Sequence, residues 1–459
     1  MKKRTFIFLV ILSYGHLACA LSNNVTKQAN SLIQSSLKSR LGYEVIESLT
    51  TEVGPRLAGS PAEKRARDWA VKKLKSLGLK NVRVEDFKVK HWERKIEKAA
   101  IVSPFPQKLE ITALGGSVST PKKGLKAEIV SFKTLTELKD APFKGFKNKI
   151  IFVDEKMTRT QDGSGYSIAV KKRSGAAIEA GKRGALAALI RSVGTDHHRF
   201  PHTGQMSYEK DVTPVPIAAL SAPDADQLAR SLARNKKVVV SLNLQVEANG
   251  ESPSGNVIGE IPGRTDEIVV IGAHLDSWDL GTGAVDDGAG VGIVVGAAKE
   301  ILKLGRKPKR TIRVILFGSE EVGLVGAEAY AKRHKDELAK HFVGAESDFG
   351  ARKIWRFDTN FAEEKLHLAA EMHKVLEPLG IGRGNNHAYG GPDILPMKKL
   401  GVPAVTLKQN GWDYFDLHHT ADDTFDKIDA SEIAQNVAAY AAFAWMAANI
   451  DDHFRSDPK

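Results

Sequence analysis

The chain has 459 residues, 42% of them hydrophobic and 27% charged. That composition excludes disordered, collagen-like and fibrous classes and is enough for roughly two to four domains with a large core. A single cysteine, Cys19, excludes a disulfide framework and a Cys-rich zinc module, and the formal charge of +12 is spread over scattered Lys and Arg, so no nucleic-acid partner is expected.

Residues 1–20 combine a basic start (Lys2, Lys3, Arg4), the apolar run Thr5–Leu12 and the A-x-A signal Ala18-Cys19-Ala20. They read as a secretory signal peptide cleaved after Ala20, which places the mature chain in the periplasm or outside the cell. A membrane anchor needs ~20 apolar residues, and Tyr14, Gly15 and His16 interrupt this run. No later segment is long and apolar enough to span a membrane.

Residues 21–110 begin with a polar lead. Ser60-Pro61-Ala62-Glu63 is a capping box, with Ser at the N-cap, Pro at N1 and Glu at N3. Ala66, Trp69, Leu74 and Leu77 follow at helical spacing, and Gly78 stops the helix. Asn81 to Val89 alternates like a strand. Residues 111–247 differ in character: Ala127–Phe132 and Lys149–Val153 read as strands, Lys171–Gly184 as a helix running into apolar Ala185–Ile190, and Pro214–Leu220, Asp224–Leu232 and Lys237–Val246 as strand, helix, strand. This segment shows no constellation of catalytic residues.

Residues 248–459 alternate strand and helix. Glu267–Ala273, Arg310–Phe317, Phe342–Ala345 and Val402–Leu407 read as strands; Gly288–Leu304, Leu324–His334 and Leu366–Leu376 read as helices, and Asp429 caps a last one. The alternation implies an α/β fold with a mixed, mainly parallel sheet flanked by helices, whose ligands bind at the carboxyl ends of the strands.

The chemistry-bearing residues follow that rule. His274-Leu275-Asp276, Gly318-Ser319-Glu320-Glu321, Glu346-Ser347-Asp348 and His418-His419-Thr420 each lie past a strand, and Asp286-Asp287 opens the helix after the first. Any one such group has an ordinary explanation: acids after strands cap helices, as Asp287 does in that reading, and lone histidines are commonly surface residues. Together, so many carboxylates would repel unless a cation neutralised them. Imidazole and carboxylate without thiolate suit Zn²⁺, with Mn²⁺ or Co²⁺ as alternatives. Five or more such groups exceed one tetrahedral site and suit two metals ~3.5–4 Å apart. The Gly-rich turn Gly281–Gly292 lacks the G-x-G-x-x-G order of a dinucleotide loop, and Asp286-Asp287 would repel a pyrophosphate. G-x-S-x-G and H-E-x-x-H are absent. Asp196-His197-His198 with His202 lies in a polar loop outside the alternation and reads as surface rather than as a second metal site.

His274-x-Asp276, Gly283-Ala-x-Asp286-Asp287-Gly, Gly318-x-Glu320-Glu321-x-Gly323, Asp348 and His419-Thr-x-x-Asp-Thr424 resemble, in order and spacing, the motifs of the dinuclear zinc exopeptidase family. That family includes bacterial leucyl aminopeptidases, aminopeptidase Y and the glutamate carboxypeptidases, and the layout is most similar to its plasma glutamate carboxypeptidase branch. The resemblance covers most of the chain, with residues 111–247 similar to the protease-associated domain often inserted in the family. It implies a metallo-exopeptidase acting on short peptides with two Zn²⁺ per chain. Asp286 would bridge the ions, His274 and Asp348 would complete one, and Glu321 and His419 the other. His419 is preferred to His418 because the family ligand directly precedes Thr or Ser. Glu320 would be the general base and Asp276 would orient His274. Tyr414, His387 and Asp393 are the substrate-side candidates, and Pro392 departs from the family's turn there. A homodimer is the assembly such relatives often form. A metal-free receptor on the same fold and a single-zinc glutaminyl cyclase-like acyltransferase are the alternatives, both at odds with a full ligand set.

Overall fold

A computed structural model describes residues 21–234 and 237–456; the expected signal peptide lies outside the described residues. The main sheet has eight strands, in spatial order Lys80–Lys90, Glu251–Ile261, Thr311–Phe317, Ile268–His274, His341–Glu346, Ala404–Gln409, Ile354–Asn360 and Gly382–Arg383. Its central four run parallel, both pairs of Glu251–Ile261 and the pair of Ala404–Gln409 with Ile354–Asn360 are antiparallel, and Gly382–Arg383 closes the edge parallel to Ile354–Asn360. The fold is therefore mixed α/β, as the sequence pattern implies.

Alternation along Ile268–His274 divides the strand between two cores. Val269, Ile271 and Ala273 pack with the helices Ala289–Lys303, Ala430–Asn449, Leu41–Glu52 and Asn23–Ser36 on one face. Ile268 and Val270 pack with Ala327, Tyr330, Ile394 and Met397 on the other. The expected polar lead is helical: Val25, Ala29, Leu32 and Ile33 bury one stripe of Asn23–Ser36 against Ala430–Asn449.

A second eight-stranded sheet lies between Lys80–Lys90 and Glu251–Ile261 in sequence. Its order is Gln107–Leu109, Glu93–Ser103, Val239–Glu247, Leu125–Phe132, Lys149–Val153, Ala187–Arg191, Ile217–Leu220 and Ile111–Ala113. Glu93–Ser103 pairs along Val239–Glu247, so this sheet takes in residues from 93 rather than starting at 111. The strand Glu251–Ile261, which opens with turn-like Ser252-Pro253-Ser254-Gly255, forms because Lys80–Lys90 and Thr311–Phe317 pair with its two edges. Among the described residues no helix is long and apolar enough to cross a membrane.

Candidate active site

Each central strand releases its chain at the same edge of the main sheet. Ile268–His274 ends on His274, Thr311–Phe317 leads to Glu320 and Glu321, His341–Glu346 to Asp348, and Ala404–Gln409 to the loop bearing His418 and His419. The groups converge on Asp286. His274 Nε2 lies 3.1 Å from Asp286 Oδ1 and 3.6 Å from Asp348 Oδ1. On the other side His419 Nε2 lies 3.3 Å from Asp286 Oδ2 and 2.9 Å from Glu321 Oε2. His418 is farther, 3.7 Å from Asp286 Oδ2, with its ring stacked on that of His419 at 3.4 Å.

Backbone amides and carbonyls hold this arrangement. Asp276 accepts from the N–H groups of both Glu320 (3.1 Å) and Glu321 (3.3 Å). His274 Nδ1 is 3.0 Å from the Asp276 carbonyl and 3.7 Å from its carboxylate, so Asp276 orients the glutamate turn as well as the histidine. Asp423 accepts from the N–H groups of Val285 and Asp286. Asp287 accepts from His274 N and Gly290 N, the capping role read from sequence. A Cβ on Gly290 would stand 2.0 Å from the Ser347 carbonyl, so only glycine lets this helix come so close. Arg56, fully buried, donates to the carbonyls of Leu275, Thr282 and Gly283 and ties the His274 and Asp286 loops together. No local pattern in the sequence marks Arg56.

Crowding sets the charge states. Burial, with the carboxylates of Asp348, Glu321 and Asp286 close by, pushes Glu320 well above the usual range against the pull of His274. Burial and Asp286 do the same to Glu321. For Asp286 burial is outweighed by the hydrogen bond from His274 and by the imidazoles of His419 and His418 close by, which hold it well below. Asp286 Oδ2 and Glu321 Oε1 are buried without a hydrogen-bond partner. Unpartnered carboxylate oxygens that face imidazoles and other carboxylates are what a metal ion satisfies. His274 with Asp286 and Glu321, and Asp286 with His418 and His419, each bring ligand atoms close enough to hold an ion.

The cluster floors a cavity of about 660 Å³ lined by Glu320, Glu321, Asp348, Tyr389, Pro392, Tyr414 and His419, and by Tyr166, Arg173 and Gln205 of the second-sheet segment. Tyr414 is among the lining residues. Asp393 is buried below it, its N–H donating to Glu346 Oε2, and it does not line the cavity. His387 is exposed in a turn, its N–H bonded to Asn385, and is not brought to the site.

The segment read as free of catalytic residues supplies a wall of the cavity and a brace. Thr203 N–H donates to the carbonyl of His419, and the Thr203 carbonyl lies 3.3 Å from His419 Nδ1. His419 takes φ 62°, left-handed backbone costing a non-glycine residue about 1–3 kcal/mol, and this brace holds it there. Asp196 and His202, read as surface, are buried and paired: His202 Nε2 meets Asp196 at 2.8 Å and Nδ1 meets the His418 carbonyl at 2.7 Å.

A family model described as peptidase family M28 matches residues 256–444, which carry every ligand-type residue above. Carboxypeptidase Q from Bos taurus is 33% identical over 435 residues, 94% of this chain and 90% of the relative. Aminopeptidase YwaD from Bacillus subtilis is 25% identical over 421 residues, 90% of this chain and 81% of the relative. A crystal structure of a peptidase M28 precursor from Shewanella amazonensis matches with a TM-score of 0.93 at 53% identity, over 95% of this chain and 99% of the other.

Proposed function

The chain belongs to peptidase family M28 and is a metallopeptidase, and on that premise we propose that it is an exported, dinuclear zinc exopeptidase that cleaves short peptides from a free N-terminus, dipeptides included. The observation that carries this reading is the sharing of Asp286 between two imidazole–carboxylate groups, His274 with Asp348 and His419 with Glu321. Those five residues would hold two Zn²⁺, for which a thiolate-free donor set is suited, with Mn²⁺ or Co²⁺ as alternatives. Bound there, the metal would polarise the scissile carbonyl and acidify a water.

The chain's own residues do the rest. Glu320 lines the cavity beside the ligands and is raised by burial, which fits a group that takes a proton from the attacking water and gives it to the leaving amine. Asp276 fixes the backbone of Glu320 and Glu321. Acidic Glu320 and Asp348 favour an α-ammonium beside the scissile carbonyl, an attraction that a blocked terminus forfeits. Residues 111–247, read as the protease-associated-type domain, wall the cavity with Tyr166, Arg173 and Gln205 and would favour short chains over folded proteins. A dipeptide also suits relatives named for opposite polarities, since its single peptide bond satisfies both.

Mass spectrometry of products from di- and tripeptides, free, N-acetylated or C-amidated, tests the reading. Free-amine dipeptides are expected to be cut and their N-acetyl forms left intact. Faster cleavage of the acetylated forms would overturn it in favour of an acidic-substrate carboxypeptidase. Export is checked by N-terminal sequencing of the mature protein, expected to begin at Leu21.

A further inference from the structure

The capping box at Ser60 is only half used. Ser60 Oγ accepts from the Glu63 N–H at 3.1 Å, but the Ser60 N–H goes to the Leu57 carbonyl, so the cap has no need of the Glu63 carboxylate. That carboxylate turns inward from the helix Pro61–Leu77 and is fully buried. Its contacts lead to the turn of Glu320. Glu63 Oε1 accepts from Ser254 Oγ at 3.1 Å, and Ser254 Oγ lies 3.0 Å from Ser319 Oγ, both serines being fully buried as well. Ser319 directly precedes Glu320 and holds φ 66°. Gly318 beside it is packed so closely that a Cβ there would stand 2.7 Å from the Gly255 carbonyl. The turn is thus held by Asp276 through the N–H groups of Glu320 and Glu321, and by Glu63 through the Ser319 hydroxyl.

The acid fixes the direction of this chain. Each hydroxyl has one proton. With Glu63 ionised, Ser254 gives its proton to Glu63, and Ser319 then supplies Ser254. Both bonds are ordered, and the first is charge-assisted. With Glu63 neutral, the carboxyl can donate as well as accept, either serine can be the donor, and the hold on the turn loosens. Glu63 Oε2 is buried without a hydrogen-bond partner among the described residues and is open to a proton. Burial pushes Glu63 up to about 7 from the ordinary 4.5, with Arg67 pulling it down and Asp276 pushing it further up. The charged groups that face it are Arg67, whose Nε is 2.9 Å from Oε1, Asp276 and, across Arg67, Asp86.

We infer that Glu63 is a positioning residue for the general base: through Ser254 and Ser319 its carboxylate sets the turn that aims Glu320 into the cavity. The inference rests on the exopeptidase reading above and adds to it a residue from outside the strand-end cluster. Among the described residues none of the five metal-ligand candidates is hydrogen-bonded or ion-paired to Glu63, so its effect falls on turnover and not on metal binding. The ionised form holds the turn, so this contribution to turnover is present above pH ~7 and is lost as the pH falls below it.

The test measures kcat and KM on a free-amine dipeptide from about pH 5.5 to about pH 8.5 in the zinc-loaded enzyme, with metal content alongside. Glu63→Gln keeps the shape and the acceptor but has no charge. Its kcat is expected to fall roughly 10-fold at the high end, the difference between a charge-assisted and a neutral hydrogen bond, with KM and metal content near normal. At the low end, where wild-type Glu63 is itself neutral, the two kcat values should converge. Ser319→Ala cuts the chain, so adding Glu63→Gln to it should cost nothing more, and Ser254→Ala gives a second background for the same comparison. Infrared difference spectra of the zinc-loaded protein between about pH 6 and about pH 8 should contain a carboxyl band that Glu63→Gln removes. A ratio of wild type to Glu63→Gln that stays flat across pH, a loss that adds to that of Ser319→Ala, a parallel loss of metal, or the absence of that band would overturn the inference, because Glu63 would then act only on the fold. Wild type that cuts the dipeptide with any of those results sinks this inference alone; wild type that cuts no peptide sinks the exopeptidase reading with it.

Discussion

Glu320 and Glu321 are neighbours in sequence with different tasks. Ser319 before them takes φ 66°, turning the chain out of its strand, and Asp276 then holds both N–H groups. With the backbone fixed, Glu321 reaches His419 at 2.9 Å while Glu320 stays on the cavity wall. Glu320→Gln keeps the shape but accepts no proton, so turnover should fall at least ~100-fold with metal content near normal. Glu321→Gln should instead lower metal content. Elemental analysis and steady-state kinetics on the two variants separate the roles, and equal metal loss in both would show the assignment to be wrong.

The strand His341–Glu346 carries its own pH dependence, away from the catalytic cluster. His341 is fully buried at its start, Nδ1 donating to the Glu337 carbonyl at 3.0 Å and Nε2 accepting from Tyr330 Oη at 2.8 Å. The Tyr330 hydroxyl accepts in turn from Arg313 at 2.7 Å. Both ring nitrogens are used by the neutral form, and burial pushes His341 down to about 4 from the ordinary 6.5. Between those values the unfolded chain binds a proton that the folded chain refuses. This contribution is therefore fully present above pH ~6.5 and is lost as the pH falls toward 4, in all about 3 kcal/mol. His341→Gln should flatten that part of the stability profile. Urea unfolding of metal-free wild type and variant at pH 5 and pH 7.5 reads it as a difference in slope. Parallel profiles would mean that His341 titrates alike folded and unfolded.

The cluster joins all four central strands with Asp286, at the carboxyl edge of one sheet, so metal binding and folding should be coupled across the molecule. Active protein should carry close to two ions per chain by elemental analysis. Chelation should lower the melting temperature, since a ligand at 100 times its Kd stabilises the folded state by about 2.7 kcal/mol. Asp286→Ala should take up neither ion with normal affinity and should melt alike with and without chelator. One ion or none in active enzyme would end the two-metal reading. The second-sheet segment takes part in the same unit, because Thr203 and His202 hold the loop of His418 and His419.

Most of the main sheet and its ligand candidates can be read from the chain because the signals are local. Apolar runs of β-branched residues, the Ser60 and Asp429 caps and the Gly-Asp turn at 283–288 are each set within a dozen residues, and acids and histidines placed just past strands must meet at one edge if the strands are parallel. Edge strands such as Glu251–Ile261 depend on partners distant in the chain, and Pro and Gly there mask the pattern. The same holds for His387 and Asp393, near the site in sequence and outside the cavity in space. Arg173 follows two lysines on the helix read over Lys171–Gly184, with no motif around it. It meets His419, 246 positions away, only because the two sheets pack with the ligand loop between them. Local backbone preferences place a ligand at the end of a strand; long-range packing decides which distant side chain turns toward it, since only burial against the other sheet makes that orientation the stable one.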